Sequence, residues 1–245
     1  MARALSPLPW LAPEPVAFPD PLDAWHEPNG LLAAGGALTP SWLITAYRNG
    51  IFPWFDDDAG PILWWSPDPR ATLEPGAARI TRSLSKRLRN GGFRVSADNA
   101  FAAVVDACAA PRDGANGTWI TPQMKAAYLA LHELGYAHSV EVWRGETLVG
   151  GLYGVAVGRL FCGESMFSQE RDASKVAFAV LAEQLRRWDF ALIDCQLPTA
   201  HLESLGACER SRNDFLATID TLRQEPERPP ERWTFDADLP AGAAP

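Results

Sequence analysis

HSVEVWRGETLVGGLYGVAVGRLFCGESMFS, residues 138–168, decides how this chain folds. Three runs in it read as strands: HSVEVW (138–143), TLVGGLYGVAV (147–157) and RLFCGESMF (159–167). They are rich in β-branched and aromatic residues, which suit a pleated, half-buried surface. Arg144-Gly145-Glu146 and Gly158 are the turns between them, so the three strands form an antiparallel meander. Next comes a helix of about four turns, from a cap at Asp172 or Ser174 to Trp188. ALIDCQ (191–196) then reads as a buried strand.

Strand, strand, strand, helix, strand is the order of the acetyltransferase-type (GNAT-like) α+β fold, a likeness of fold alone. Upstream, residues 71–134 predict a basic helix or turn at 81–90 and a short strand at Phe93–Val95. A helix at 98–109 is capped by Asp98, and another runs from Pro122 to Leu134. A polar loop, 111–117, joins these two helices. Downstream, short helices are expected at 199–205 and from a Ser211 cap to Leu222. Residues 1–38 read as irregular and rich in Pro and Gly. Thr39-Pro40 opens a helix that Gly50 stops. Pro67 and Pro69 stiffen ILWWSPDPR (62–70), which places a domain boundary there. The expected organisation is a small N-terminal domain (1–69), an acetyltransferase-like domain (70–235) and a loose tail (236–245).

The chain has 245 residues, 47% of them hydrophobic, with a net charge of −8 and ten tryptophans. That charge argues against generic nucleic-acid binding, so any RNA contact must be local. The start of the chain is broken by prolines and no apolar run approaches ~18 residues, so neither a secretory signal nor a membrane span is expected. Cys108, Cys162, Cys195 and Cys208 have no metal-binding spacing and read as reduced thiols of a cytoplasmic protein. Neither metal nor cofactor is expected.

Three features carry chemistry. Arg79, Arg82, Lys86, Arg87, Arg89 and Arg94 are uninterrupted by any acid. On a helix Arg82, Lys86 and Arg89 share one face. That face is either a solvated surface or a seat for a phosphate backbone. Glu164 interrupts an apolar strand, where a carboxylate is costly unless paired or used; the other reading is an outward-facing surface Glu. Strict alternation puts Phe161, Gly163 and Ser165 on one face and Cys162, Glu164 and Met166 on the other. Asp194 and Gln196 end the buried strand on a common face, either as a site or as a loop anchor. Trp54, Trp64, Trp65, Trp119 and Phe161 are pocket or core aromatics. His26, His132, His138 and His201 form no cluster, and His201 reads as structural. No nucleophile elbow or catalytic triad is present.

Taken together, EPNGLLAAGG (27–36), AYRNGIFPWF (46–55), ILWWSPDPR, GTWIT (117–121), HELGYAHSVEVW (132–143), GGLYGVAVGRLFCGESMFS (150–168), ASK (173–175), LIDCQ (192–196) and HLESLGAC (201–208) resemble the leucyl/phenylalanyl-tRNA–protein transferase family. The resemblance implies transfer of Leu, Phe or Met from aminoacyl-tRNA to proteins beginning with Arg or Lys, which marks them for degradation; the chain is expected to be a monomer. It implies functional roles for Glu164, Asp194 and Gln196. It also implies a pocket for the donor side chain and the tRNA 3′ adenosine involving Tyr47, Trp54, Trp119, Leu152, Phe161, Gly163, Met166 and Ile193, and a tRNA surface at 79–94. Thr199 stands where well-known members carry Asn. Aminolysis of an ester then asks Asp194 and Glu164 to neutralise the acceptor's cations and Gln196 to orient its amine, with a ribose hydroxyl or a water carrying the proton. The alternatives are a non-catalytic tRNA-binding module or an acyl-CoA N-acyltransferase. The latter needs a glycine-rich pyrophosphate turn where this chain has FSQERDASK.

Overall fold

The computed structural model describes residues 7–111, 118–223 and 231–239. Most of the polar loop expected at 111–117, and the tail from 240, lie outside them.

In chain order the elements are β1 (Trp10–Leu11), β2 (Leu31–Gly35), α1 (Pro40–Arg48), β3 (Phe52–Pro53), β4 (Leu63–Trp65), β5 (Arg70–Leu73), α2 (Arg82–Asn90), β6 (Arg94–Ala97), α3 (Phe101–Ala109) and α4 (Pro122–Glu133). They continue as β7 (Ala137–Arg144), β8 (Thr147–Val157), β9 (Leu160–Ser168), α5 (Ala173–Arg187), β10 (Leu192–Gln196), α6 (Ala200–Leu205), β11 (Cys208–Arg210) and α7 (Arg212–Arg223).

The large sheet has the order β11-β5-β10-β9-β8-β7-β6. β7, β8 and β9 pair antiparallel, as the glycine turns require. β10 pairs parallel to β9, because α5 carries the chain back across the sheet between them. This is the strand, strand, strand, helix, strand order of an acetyltransferase-like α+β fold.

Two apolar clusters sandwich the sheet. One face meets α1, α3, α4 and α7, through residues such as Tyr47, Phe101, Tyr128 and Phe215. The other meets α2, α5 and residues 231–239, through Leu84, Val180, Leu185 and Trp233.

The structure corrects several expectations. Residues 1–38 are not all irregular: β1 and β2 join β4 and β3 in a four-stranded sheet. Leu31–Ala34 are all buried, so they show no alternation to read. β5 and β11, at the far edge of the large sheet, are too short to announce themselves.

Thr39 holds the cap position of α1, but its hydroxyl meets the Ser41 hydroxyl rather than a backbone N–H of the helix. Asp98 does not cap α3. It adopts a positive φ of 56° and accepts from His138, Ser139 N–H and Trp233 N–H. Glu141 of β7 takes over, accepting from the Asn99 and Ala100 N–H groups.

Residues 236–239 are not loose. Asp236 N–H donates to Gln184, Arg187 pairs with Asp236 and Asp238, and Leu239 is buried. No helix among the described residues is long and apolar enough to cross a membrane, and no cluster among them could hold a metal ion. All four cysteines are free thiols.

Candidate active site

β9 and β10 run together only from Leu192–Leu160 to Asp194–Cys162, and then part. Each strand carries a bulge at that point. Tyr153 pairs with Ser165 and Gly154 with Gly163, so Glu164 is the extra residue of β9. Thr72 pairs with Asp194 and Ala71 with Gln196, so Cys195 is the extra residue of β10, and Gln196 takes φ 64°. Bulges re-aim side chains, and these two change the strict alternation. Glu164 and Ser165 fall on the side of Tyr153, while Met166 joins Phe161 and Leu152 on the other.

A cavity of about 630 Å³ opens where the strands part. Its apolar wall is Leu152, Phe161, Met166 and Ile193 from the sheet, with Phe178 and Leu181 from α5. Gly163 keeps it clear: a methyl there would meet no atom closer than the Asp194 carbonyl oxygen, 3.8 Å away. Trp119 lines one side, and Thr199 and His201 line another.

The polar side of the site is one hydrogen-bonded chain. Arg70 Nε and Nη2 donate to the two Asp194 oxygens at 2.8 and 2.6 Å, both side chains being 1% exposed. Gln196 N–H donates to Asp194 Oδ1 at 2.9 Å, which holds Gln196 in its left-handed conformation. The Gln196 side-chain amide donates to Glu164 Oε1 at 2.9 Å. Tyr128 OH donates to Glu164 Oε2 at 2.5 Å, and Tyr128 in turn meets Tyr47 OH at 2.9 Å. Each of these groups is fixed by its neighbour, a preorganised arrangement.

Burial pushes the Glu164 carboxyl up to about 7. Bonds from Tyr128 and Tyr47 oppose the rise, the nearby Asp194 charge adds to it, and the bond from Gln196 opposes it. Burial raises the Tyr47, Tyr128 and Tyr153 phenols well above their ordinary range, so they stay protonated.

The expected residues are thus distributed unevenly. Glu164, Gln196, Trp119, Leu152, Phe161, Gly163, Met166, Ile193 and Thr199 line the cavity. Tyr47 stands behind it, acting through Tyr128. Asp194 lies beneath it with its carboxylate committed to Arg70 and to the Gln196 N–H, so it does not face an incoming cation. Trp54 is 42% exposed against the Trp65 ring, outside the cavity wall. Thr199 uses its hydroxyl to accept from Leu202 N–H, capping α6. His201 also lines the cavity, and burial lowers its pKa.

Arg70 and Tyr128 went unread in the sequence. Tyr128 sits at helical spacing among core residues. Its signal is the phenol, which a buried face must satisfy.

On α2, Leu84 and Leu88 face the core, while Arg82, Lys86 and Arg89 are exposed on the opposite side. Arg79 is exposed nearby. Arg87 and Arg94 are engaged: Arg87 pairs with Glu170 and lies over Phe93, and Arg94 lies over Trp143.

A family model described as leucyl/phenylalanyl-tRNA protein transferase matches residues 72–220, and the model of that family's N-terminal domain matches residues 36–68. The chain belongs to this family. Among its relatives, the leucyl/phenylalanyl-tRNA–protein transferase of an Azoarcus species is 59% identical over 234 residues, covering 96% of this chain and 94% of that one. That of Cellvibrio japonicus is 54% identical over 226 residues, covering 92% and 96%. A solved GCN5-related N-acetyltransferase from Kribbella flavida shares 12% identity and a TM-score of 0.36 over 70% of this chain and 61% of that one, a likeness too distant to bear on function. For this leucyl/phenylalanyl-tRNA protein transferase family member, the site to explain is the cleft between β9 and β10.

Proposed function

We propose that this chain performs the reaction its family is named for, moving leucine or phenylalanine from aminoacyl-tRNA to the N-terminal amine of a protein. The observation that carries this reading is the apolar cavity with Glu164 and Gln196 at its polar edge. The cavity takes the donor side chain, which brings the ester carbonyl to that edge.

The acceptor's nitrogen attacks the carbonyl carbon, the bond from that carbon to the ribose oxygen breaks, and a proton must leave the amine. With its N–H committed to Glu164, the Gln196 amide presents its carbonyl oxygen as an acceptor that orients the amine. Glu164, at about 7, is matched to an α-amine of pKa ~7.7–8.0. It takes the proton and returns it to the ribose oxygen. Asp194 and Arg70 are positioning residues that hold Gln196.

In this reading residues 1–69 form the small domain that supplies Tyr47, and residues 70–235 form the catalytic one. The enzyme acts as a cytoplasmic monomer. Its acceptors begin with Arg or Lys, and modification sends them to degradation. A net charge of −8 favours such cationic termini over long range.

The exposed face of α2, with Arg79, holds the tRNA backbone. Changing Arg82, Lys86 and Arg89 together to Ala lowers the slope of log affinity against log salt by roughly 2–3. An unchanged slope removes tRNA from this face. Arg87, tied to Glu170, is left out of that variant.

The wall shape sets donor choice. One methylene is worth about 1–3 kcal/mol. Leu, Phe and Met are therefore transferred, whereas Val and Ile, branched at the β-carbon, fall at least about tenfold behind. A competition among charged tRNAs in which Val or Ile matches Leu refutes this. Offering acetyl-CoA to the same peptide tests the rival acyltransferase reading, and no acetylation is expected.

A further inference from the structure

Residues 231–239 lie beyond the stretch, 72–220, that the family model matches, yet Trp233, Phe235 and Leu239 are each buried in the same cluster as the cavity wall. Trp233 is anchored twice. Its backbone N–H donates to Asp98 Oδ2 at 2.8 Å, and its ring stacks on His138 with centroids 3.6 Å apart and planes 2° from parallel. Its ring also meets Phe161 at 5.7 Å, as well as Trp188 and Phe190.

Phe161 is one of the aromatic side chains lining the cavity, and it is itself only 1% exposed. It lies over Gly154, where a methyl would come within 2.5 Å of Phe161 Cζ. The glycine makes room for the ring, and Trp233 stops it from moving into the core behind. The depth of the cavity therefore depends on a residue that never touches it.

We infer that Trp233 is a positioning residue for donor selectivity: the 231–239 strap holds the Phe161 ring in place and so fixes which side chains the cavity accepts. This rests on the reading of the cavity as the donor side-chain pocket. Without the indole, Phe161 gains freedom to retreat, the cavity deepens, and leucine loses contact sooner than phenylalanine does.

The test uses the full chain and two readouts. One is transfer of Leu and Phe from charged tRNA to a peptide beginning with Arg. The other is calorimetric binding of non-hydrolysable adenosine amides carrying Leu or Phe. Trp233→Ala is expected to raise the Phe-to-Leu ratio about fivefold or more in both. Trp233→Phe, which keeps a ring behind Phe161, is expected to hold the ratio within about twofold of the parent. Phe235→Ala, which loses buried area against Trp188 rather than against Phe161, is expected to lose stability without moving the ratio. If Trp233→Ala does not fold, Trp233→Leu takes its place with the same expectation. An unmoved ratio in the Trp233 variants, or an equal shift in Phe235→Ala, overturns the inference. If the parent chain binds the amides but transfers nothing, the transfer reading fails and the binding ratio alone decides the role of Trp233. If it binds neither amide, the pocket reading falls and the inference with it.

Discussion

Glu164→Gln is expected to lower kcat for transfer by about 10²–10⁴-fold, the range a positioned acid–base group contributes. The pH profile separates loss of a base from loss of a contact. Glu164 works only when ionised and titrates at about 7. In the parent, activity therefore falls tenfold per unit as pH drops below that value, over and above any limb due to the acceptor amine. The Gln variant keeps the amine limb and loses the limb near 7.

Stability should move the other way. The folded carboxyl titrates at about 7 against an ordinary 4.5, so between these values the folded state binds more protons than the unfolded one. The parent's stability falls as pH rises through that window. Above it, the ionised carboxylate costs up to about 3 kcal/mol. Gln carries no such cost and can still bond Tyr128 and Gln196. Urea unfolding should show the variant more stable than the parent at pH 8, with the difference vanishing near pH 4. A variant less stable at pH 8 contradicts the environment described for Glu164.

Asp194→Ala is expected to destabilise the fold by about 3–5 kcal/mol, because it leaves the Arg70 charge buried without its partner. Arg70 is 1% exposed, and its Nη1 has no hydrogen-bond partner among the described residues even with Asp194 in place. The Phe52 and Phe215 rings on which its guanidinium lies cannot replace a carboxylate. A loss of that size is a large part of the ~5–15 kcal/mol that holds a domain together. Adding Arg70→Met removes the stranded charge, and at least half of the lost stability should return. Activity should not return with it, since Gln196 has lost the oxygen that holds its backbone at positive φ. The milder Asp194→Asn is expected to lower kcat rather than raise the acceptor KM, because Asp194 faces Arg70 and not the cavity. Thermal or urea unfolding checks the first claim, and unchanged stability in Asp194→Ala contradicts it.

The meander was legible because runs rich in β-branched and aromatic residues, closed by glycine turns, are local signals. Glu164 was legible for a different reason: a carboxylate on an apolar strand demands an explanation. The two bulges were not legible. One extra residue leaves no mark in composition, yet it puts Ser165 and Met166 on the faces opposite to those that alternation assigns. Nor could sequence show that Asp194 is committed to a residue 124 positions away. That pairing turns Asp194 from a group expected to meet the acceptor into a support for Gln196. β2 escaped notice because LLAAG is short and holds no β-branched or aromatic residue to mark it as a strand. Trp233 escaped because its partners Asp98, His138 and Phe161 are distant in the chain.

The most direct test of the central claim is to incubate the purified chain with Leu-tRNA or Phe-tRNA and a peptide beginning with Arg, and to weigh the peptide. The expected product is that peptide extended by one leucine or phenylalanine at its N-terminus, formed rapidly by the parent and at least about a hundredfold more slowly by Glu164→Gln. A peptide of unchanged mass, with tRNA nonetheless bound, would contradict the account and leave an RNA-binding protein in its place.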